Sequence, residues 1–245
     1  MSYFSSLLDA HVARVQEIVA ISDINEELVK IAVSNLQHLK NDLEATGRNA
    51  GILNKVNVQL NVYEQVAQLP ELESKYPVLR GQMVVLIIGA QEALIGDVFV
   101  AVVENNPEKI IWSDDKEKIS FDPSLLSSGF SLGDAMISHL KNKSYSFQDL
   151  GSAIQAINKY LLPDFKVDDE IKDELILASA WRNIIVHNRS IIDPSFIKQI
   201  RTTKYSKNYC SGDELNITQV DVETLSSVTI NFAANLLSEL EATLQ

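Results

Sequence analysis

The sequence is poor in the residues that form disulfides and turns. Its 245 residues include 1 cysteine, 6 prolines and 9 glycines. A single cysteine, Cys210, excludes an internal disulfide, and with no hydrophobic leader at the start of the chain we expect a reducing, cytoplasmic location. So few glycines and prolines also argue against a β-sandwich and against a disordered chain.

Basic residues are scarce as well. Lysine and arginine number 21 against 33 aspartates and glutamates, which gives a formal net charge of -12. Proteins that hold duplex DNA through its phosphates present strongly basic surfaces, so the overall charge argues against that class. A small local site for RNA is still compatible with it.

Metal-binding and phosphate-loop motifs are missing. His11, His38 and His139 lie far apart, and the sequence has no paired cysteine or histidine spacing of the kind that zinc sites use. It also has no glycine-rich phosphate loop. We therefore expect neither a metal nor an organic cofactor.

One apolar run, residues 84–103, is as long as a membrane span. It contains Gln91, Glu92 and Asp97, and two acids near the middle of a single span would cost several kcal/mol in lipid. A central helix buried in protein is the better interpretation, and we expect no membrane partner.

Apolar residues recur at helical spacing almost everywhere, and we find no alternating strand pattern. The sequence therefore predicts an all-α helical bundle. A break between Pro70 and Pro77 divides it into an N-terminal helical segment (1–76) and a main domain (77–245). We expect two helices before residue 46, separated by a cap at Ser22 or Asp23. The later predicted helices cover about 56–69, 78–104, 131–141, 147–161, 168–187 and 216–245.

Charge is inverted in one stretch of the chain. Residues 175–212 contain six basic side chains and one acid, Asp193, so this stretch carries +5 within an acidic protein. The basic residues are Arg182, Arg189, Lys198, Arg201, Lys204 and Lys207. Such a local concentration indicates an anionic ligand.

Arg182, Asn183 and His187 form an Arg-x4-His element inside this stretch. On a helix Asn183 and His187 share a face, whereas Arg182 and His187 lie about 140° apart around the axis. They converge on one ligand if the helix ends near His187, or if two copies of the helix meet in a homodimer. Arginine neutralises charge developing on a phosphorane, and histidine moves protons, so this set suits metal-independent cleavage of RNA.

A simpler interpretation remains open. Arg182 pairs with Glu174 or another neighbour on its own helix, and His187 is an ordinary histidine at a helix end. A half-buried arginine persists only with an anionic partner, so the choice is between a side chain and a ligand.

Arg-Asn-Ile-Ile-Val-His-Asn, residues 182–188, resembles the Arg-polar-x3-His signature of the HEPN superfamily (higher eukaryotes and prokaryotes nucleotide-binding). The surrounding segments are similar to those of the RiboL-PSP-type HEPN branch. They are MVVLIIGAQEALIGDVF at 83–99, FQDLGSAIQAINKYL at 147–161 and GDELNITQVDVETL at 212–225. The resemblance covers about residues 78–245.

The resemblance implies a HEPN-type helical bundle with an N-terminal helical extension, usually dimeric with a composite site. Active members are endoribonucleases that leave a 2′,3′-cyclic phosphate, and many are toxins or phage-defence effectors with an antitoxin or defence partner. Matched by position, Arg182 and His187 are catalytic, Asn183 is the polar neighbour and Glu92 corresponds to a loosely kept acid. Other members bind nucleotides or RNA without cutting, and that alternative stays open.

A basic run follows the motif. Lys198, Arg201, Lys204 and Lys207 are spaced by threes, and Tyr205 lies among them. Lysines track phosphates while tyrosine stacks on an unpaired base, so we predict that this run and Arg189 contact RNA. The alternative is a solvated helix face or loop.

Overall fold

The computed structural model describes residues 3–46, 50–67, 76–110 and 131–244, and their backbone is largely helical. The helices, in chain order, are α1 (Tyr3–Thr46), α2 (Ala50–Ala67), α3 (Tyr76–Asn105), α4 (Leu132–Asn142), α5 (Leu150–Tyr160), α6 (Asp169–His187), α7 (Pro194–Ile200) and α8 (Gln219–Leu244). A 3-10 helix, Pro107–Lys109, follows α3. Within these ranges no residue lies in a strand, and one isolated antiparallel bridge joins Ile191 to Glu214. The all-α prediction is confirmed.

The later helices begin and end close to their predicted positions. The motif helix, expected at 168–187, is α6, and Asp168 caps it by accepting hydrogen bonds from the backbone of Glu170 and Ile171. The proposed boundary at 76/77 falls in the first turn of α3. The predicted break after Pro70 and the irregular segment at 111–130, with Trp112, lie outside the described residues.

The prediction of two helices before residue 46 is wrong. The backbone of α1 is helical without interruption from Tyr3 to Thr46, so no helix begins at Ser22 or Asp23. No glycine or proline interrupts this segment. Serine and aspartate favour caps, but inside a helix they cost only a few tenths of a kcal/mol, which continued hydrogen bonding offsets.

Helix α7 was not predicted, because Asp193-Pro194 was interpreted only as a stop. The same two residues start a helix: the Asp193 side chain accepts a hydrogen bond from the Phe196 backbone at 2.8 Å, and Pro194 occupies the first helical position. Proline is favoured there because its missing N–H would have no helical partner.

Helix α3 lies at the centre of the bundle and packs against α1, α4, α6 and α8. One apolar core contains side chains from all of these helices, including Val15 and Ile18 of the N-terminal segment. The core also includes Phe99 of α3, Leu175 of α6 and Phe232 of α8, each at most 2 % exposed. The motif helix is thus fixed against the central helix over much of its length.

Helix α3 is also, within the described part of the chain, the one helix long and apolar enough to cross a membrane by length and composition. More than half of its most apolar window is buried inside the fold. Core helices of soluble proteins have the same properties, so this likeness is weak evidence for a membrane span.

Candidate functional site

The Arg-x4-His element occupies the last turns of α6. Arg182 and Asn183 are half-buried, and His187 is the final helical residue and is exposed. The apolar side of these turns faces the core through Trp181 and Ile184, which are 5 % and 3 % exposed. The imidazole therefore stands at a helix end, which is one of the two arrangements that allow it to converge with Arg182 on one ligand.

Two hydrogen bonds connect Arg182 to α7. Its Nη1 donates to Asn183 Oδ1 at 3.2 Å, and Asn183 Nδ2 donates to Gln199 Oε1 at 3.3 Å. Asn183 is thus held from both sides. The sequence did not single out Gln199, since recognising it requires knowing that α7 packs against α6.

Across the helix contact, Arg182 faces an acid of α3. Burial raises the pKa of the Glu92 carboxyl above its ordinary value, and the Arg182 guanidinium and a hydrogen bond with Gln148 partly oppose that rise. An opposite charge and a hydrogen bond to the charged form both favour ionisation. The half-buried arginine thus has an internal anionic neighbour, on another helix.

Glu174, the alternative partner for Arg182, is used elsewhere. The Tyr205 hydroxyl donates to Glu174 Oε1, and Lys204 Nζ lies 3.2 Å from the same oxygen. Burial, and then the hydrogen bond to Glu174, raise the pKa of Tyr205 to about 12. Two of the six predicted RNA contacts, Lys204 and Tyr205, are therefore tied to α6 by this carboxylate.

The chain leaves α6 through a strained turn. Arg189 and Ser190 have φ angles of 52° and 63°, in the left-handed region that side chains other than glycine avoid. The backbone N–H groups of Asn188 and Ser190 both donate to the Ile184 carbonyl, at 2.9 and 3.0 Å. Left-handed residues commonly end helices, as Ser144 and Asp164 also do here, and this pair begins two residues after His187.

The two ends of residues 189–212, which we call the basic loop, lie close together. Ile192 N–H donates to the Asp213 carbonyl at 2.9 Å, and Gly212 N–H donates to the Ile192 carbonyl at 2.8 Å. The loop packs on the core through Phe196 and Ile200, which are 2 % and 0 % exposed. The basic run therefore lies in a closed, anchored loop that contains α7, and its contact with RNA stays a prediction.

The remaining predicted RNA contacts lie on the surface of the basic loop. Arg189, Lys198, Arg201 and Lys207 are all exposed. Tyr209, in contrast, is half-buried, accepts a hydrogen bond from Trp181 Nε1 at 3.3 Å and packs edge-on against Phe196. Tyr209 thus anchors the loop, and the four exposed cations are free to meet solvent.

A cavity of about 420 Å³ opens beside Glu92. It lies between α3, the C-terminal half of α4 and the loop that precedes α5. Its lining includes Glu92 and Gln148, which hydrogen-bond to each other, together with the rings of Tyr145 and Phe147. No sequence pattern predicts this cavity, because its walls come from three separate segments.

Histidine, cysteine, aspartate and glutamate side chains are dispersed over the described segments. No group of three or more histidine, cysteine, aspartate or glutamate side chains among them could hold a metal ion. The groups that the structure brings together around α6 are instead a guanidinium, a carboxylate and two amides. Of these groups, a guanidinium can bind phosphate, and the exposed imidazole of His187 can transfer protons.

Comparison with known proteins gives no match: no family model, no curated protein and no solved structure is similar to this chain.

Proposed function

We propose that this protein is a metal-independent endoribonuclease of the HEPN type that cleaves RNA to a 2′,3′-cyclic phosphate. The observation that supports it best is the arrangement of Arg182. This half-buried cation is positioned by Asn183 and Gln199, lies on the helix that ends at the exposed His187, and adjoins the basic loop. Positioned cations at a surface rich in positive charge bind phosphodiesters.

The proposed chemistry needs only RNA and these side chains. His187 accepts the proton of the ribose 2′-OH, whose oxygen attacks the neighbouring phosphorus. Arg182 stabilises the extra negative charge of the phosphorane, and Asn183 orients the guanidinium. The bond to the 5′-oxygen then breaks, a proton is delivered to that oxygen, and a 2′,3′-cyclic phosphate remains. Exposed Lys198, Arg201 and Lys207 hold the flanking phosphates, as does Arg189.

A homodimer completes the proposed site. Gly81 lies against Ile185, so the first turns of α3 run beside the end of α6. Val78 and Leu86 of α3 and Val186 of α6 are each about half-exposed or more. Exposed apolar side chains beside a motif are a surface suited to a second copy, which would bring a second His187 towards Arg182. We place this enzyme in the cytoplasm on the basis of its single cysteine. Its role as a toxin or phage-defence effector with an antitoxin or defence partner rests on the family resemblance alone.

The second candidate function is a HEPN-like module that binds nucleotide or RNA without cutting it. One observation favours it: Arg182 already donates to Asn183 and already faces Glu92, so its charge is partly satisfied inside the chain. An arginine so engaged is well placed to recognise a phosphate but has less charge to offer a transition state.

Incubation of the full chain with mixed RNA in EDTA separates the two candidates. The nuclease produces fragments that end in a cyclic phosphate, and Arg182→Ala and His187→Ala do not. The binding module retains RNA on a filter and yields no fragments. Parent and variants must have the same circular dichroism spectrum, so that loss of cleavage is not loss of fold.

A further inference from the structure

The cavity beside Glu92 has the features of a ligand site. Its volume of about 420 Å³ lies within the range of about 300–1,000 Å³ that is usual for pockets holding small organic molecules. Ile137, Leu140 and two aromatic rings provide apolar walls, and Glu92, Gln148 and Lys141 are its polar groups. Apolar walls with a few polar groups are what a flat heterocycle requires.

Contacts with other aromatic rings hold the two aromatic walls of this cavity in place. The Phe147 ring is stacked on Phe99, with centroids 5.5 Å apart and planes inclined by 13°. Tyr145 meets the buried Tyr160 edge-on at 6.0 Å. Rings fixed in this way present a rigid surface, which favours stacking because little side-chain freedom is lost on binding.

Among the described residues, no donor reaches one oxygen of the Glu92 carboxylate, and a ligand would provide one. This oxygen, Oε1, is shielded from solvent and has no hydrogen-bond partner within the described part of the chain. The terminal torsion of glutamate is soft, so a small rotation offers either oxygen to the cavity. A buried acceptor without a donor is unfavourable, and a ligand that brings N–H groups to it relieves that cost.

The geometry points to a guanine-binding subsite in this cavity, with Glu92 accepting from the base and Lys141 or Gln148 donating to it. Guanine is the base whose N1–H and N2 amino group form two adjacent donors that one carboxylate accepts together. Beside these donors, the O6 atom of guanine accepts a hydrogen bond, which the Lys141 ammonium or the Gln148 amide can donate. Adenine and cytosine offer one amino donor beside an acceptor, and uracil one N–H between two carbonyls.

Glu92, which lines the cavity, also interacts electrostatically with Arg182 of the candidate phosphate site. Assigning the guanine to an RNA substrate therefore rests on the proposed nuclease function, with the base in the cavity and its phosphate at Arg182. A free guanine nucleotide presents the same base and a phosphate. Binding of the base itself does not depend on any cleavage.

Gly89 provides a clean way to block the cavity. It lines the cavity on α3, and a Cβ atom added there would meet nothing within 4 Å. Gly89→Leu therefore places an apolar side chain at the cavity wall with room for its Cβ, whereas Gly89→Ala is the matched control with a similar gain in helix propensity but little added volume. Glu92→Gln tests the carboxylate, since an amide accepts at one atom only.

The test is calorimetric titration of the full chain with the four nucleoside 3′-monophosphates. We expect the guanosine compound to bind at least about tenfold more tightly than the other three, as one added hydrogen bond to a charged carboxylate predicts. Gly89→Leu and Glu92→Gln should each remove this preference, and Gly89→Ala should keep it. Equal affinity for all four compounds, or a preference that survives Gly89→Leu, overturns the subsite.

Parallel digestion of RNA in EDTA separates this inference from the proposed function. Cleavage next to guanosine that Gly89→Leu abolishes identifies the RNA substrate as the source of the base. Guanosine-selective binding with no cleavage supports the subsite with a free guanine nucleotide as ligand and overturns the nuclease alone. Cleavage without base preference, unchanged in Gly89→Leu, supports the nuclease and overturns the subsite.

Discussion

Glu92 in the middle of α3 and Arg182 near the end of α6 carry opposite charges across the contact between the two helices. Burial nevertheless outweighs this attraction, because the pKa of Glu92 is raised above its ordinary value. The carboxylate is therefore less favourable in the folded protein than in water, even beside a guanidinium. Titratable groups that line a cavity and whose pKa is shifted by burial and by a charged neighbour are characteristic of functional sites.

The Glu92 pKa predicts how stability depends on pH. Because the pKa of Glu92 is raised in the folded protein, its contribution to folding stability is complete at pH values below its ordinary pKa, 4.5. That contribution is lost as pH rises through the folded-state pKa. The glutamine of Glu92→Gln does not ionise. The melting temperature of this variant, relative to that of the parent, should therefore increase as pH rises from 4.5. Thermal melts across this range measure the difference. Glu104→Gln, an exposed change on the same helix, should show no such trend, and a parallel course for both variants would contradict the account.

Glu174 should stabilise the basic loop more than its charge alone suggests. Glu174→Ala leaves the half-buried Tyr205 hydroxyl without its acceptor, at a cost of about 1–3 kcal/mol, or roughly 3–9 °C in melting temperature. Glu174→Gln keeps an acceptor for Tyr205 and loses only the exposed pairing with Lys204, so we expect a loss under about 1 kcal/mol. Equal melting temperatures for the two variants would show that the Tyr205 hydrogen bond contributes nothing.

His11 should make the docking of α1 sensitive to acid. It is 4 % exposed, hydrogen-bonds to the backbone of Thr229 on α8, and burial is the main cause that lowers its pKa. A lowered folded-state pKa means that stability is complete above the ordinary value, 6.5, and declines as pH falls below it. His11→Asn should flatten this decline in chemical denaturation at pH 5 to 8, whereas His38→Asn, an exposed change on α1, should leave it unaltered.

Two glycines should respond to alanine with opposite signs. A Cβ at Gly133 would lie 2.5 Å from Val100 Cγ1 and 3.0 Å from Val100 Cα, so Gly133→Ala forces α3 and α4 apart and costs about 1–3 kcal/mol. Gly89→Ala enters open space inside a helix and should gain about 0.5–1 kcal/mol. Urea denaturation of the two variants measures both values. A destabilised Gly89→Ala would show that the space beside Glu92 is not open.

Local patterns predicted the helices but not the contacts between them. The caps and apolar spacing that define α6 lie within a few residues of one another, so its limits were found from the sequence. The sequence did not predict that α1 is continuous. The preference of Ser22 and Asp23 for cap positions is weak compared with the free-energy cost of ending a helix. The pairings of Glu174 with Tyr205 and of Glu92 with Arg182 join residues far apart in sequence, and only packing brings them together.

The Arg-x4-His motif could be recognised in the sequence, whereas the side chains that surround it in the fold could not be predicted. Arg182, Asn183 and His187 were located by residue type and spacing, and the charge inversion marked the basic loop. Gln199 lies on the short helix that was not predicted, and Gln148 precedes α5 with no distinguishing pattern. Their roles depend on tertiary contacts, which leave no periodic signal in a single sequence.

The most direct measurement is the single-turnover rate of RNA cleavage in EDTA for the parent, Arg182→Ala, His187→Ala and the double variant. Each single change should slow cleavage about 100-fold or more, and the double variant should be no slower than the worse single, because the two residues act as a unit. His38→Ala serves as the control and should cleave at the parental rate. Parental rates in both single variants, or no cleavage by the parent, would contradict the account.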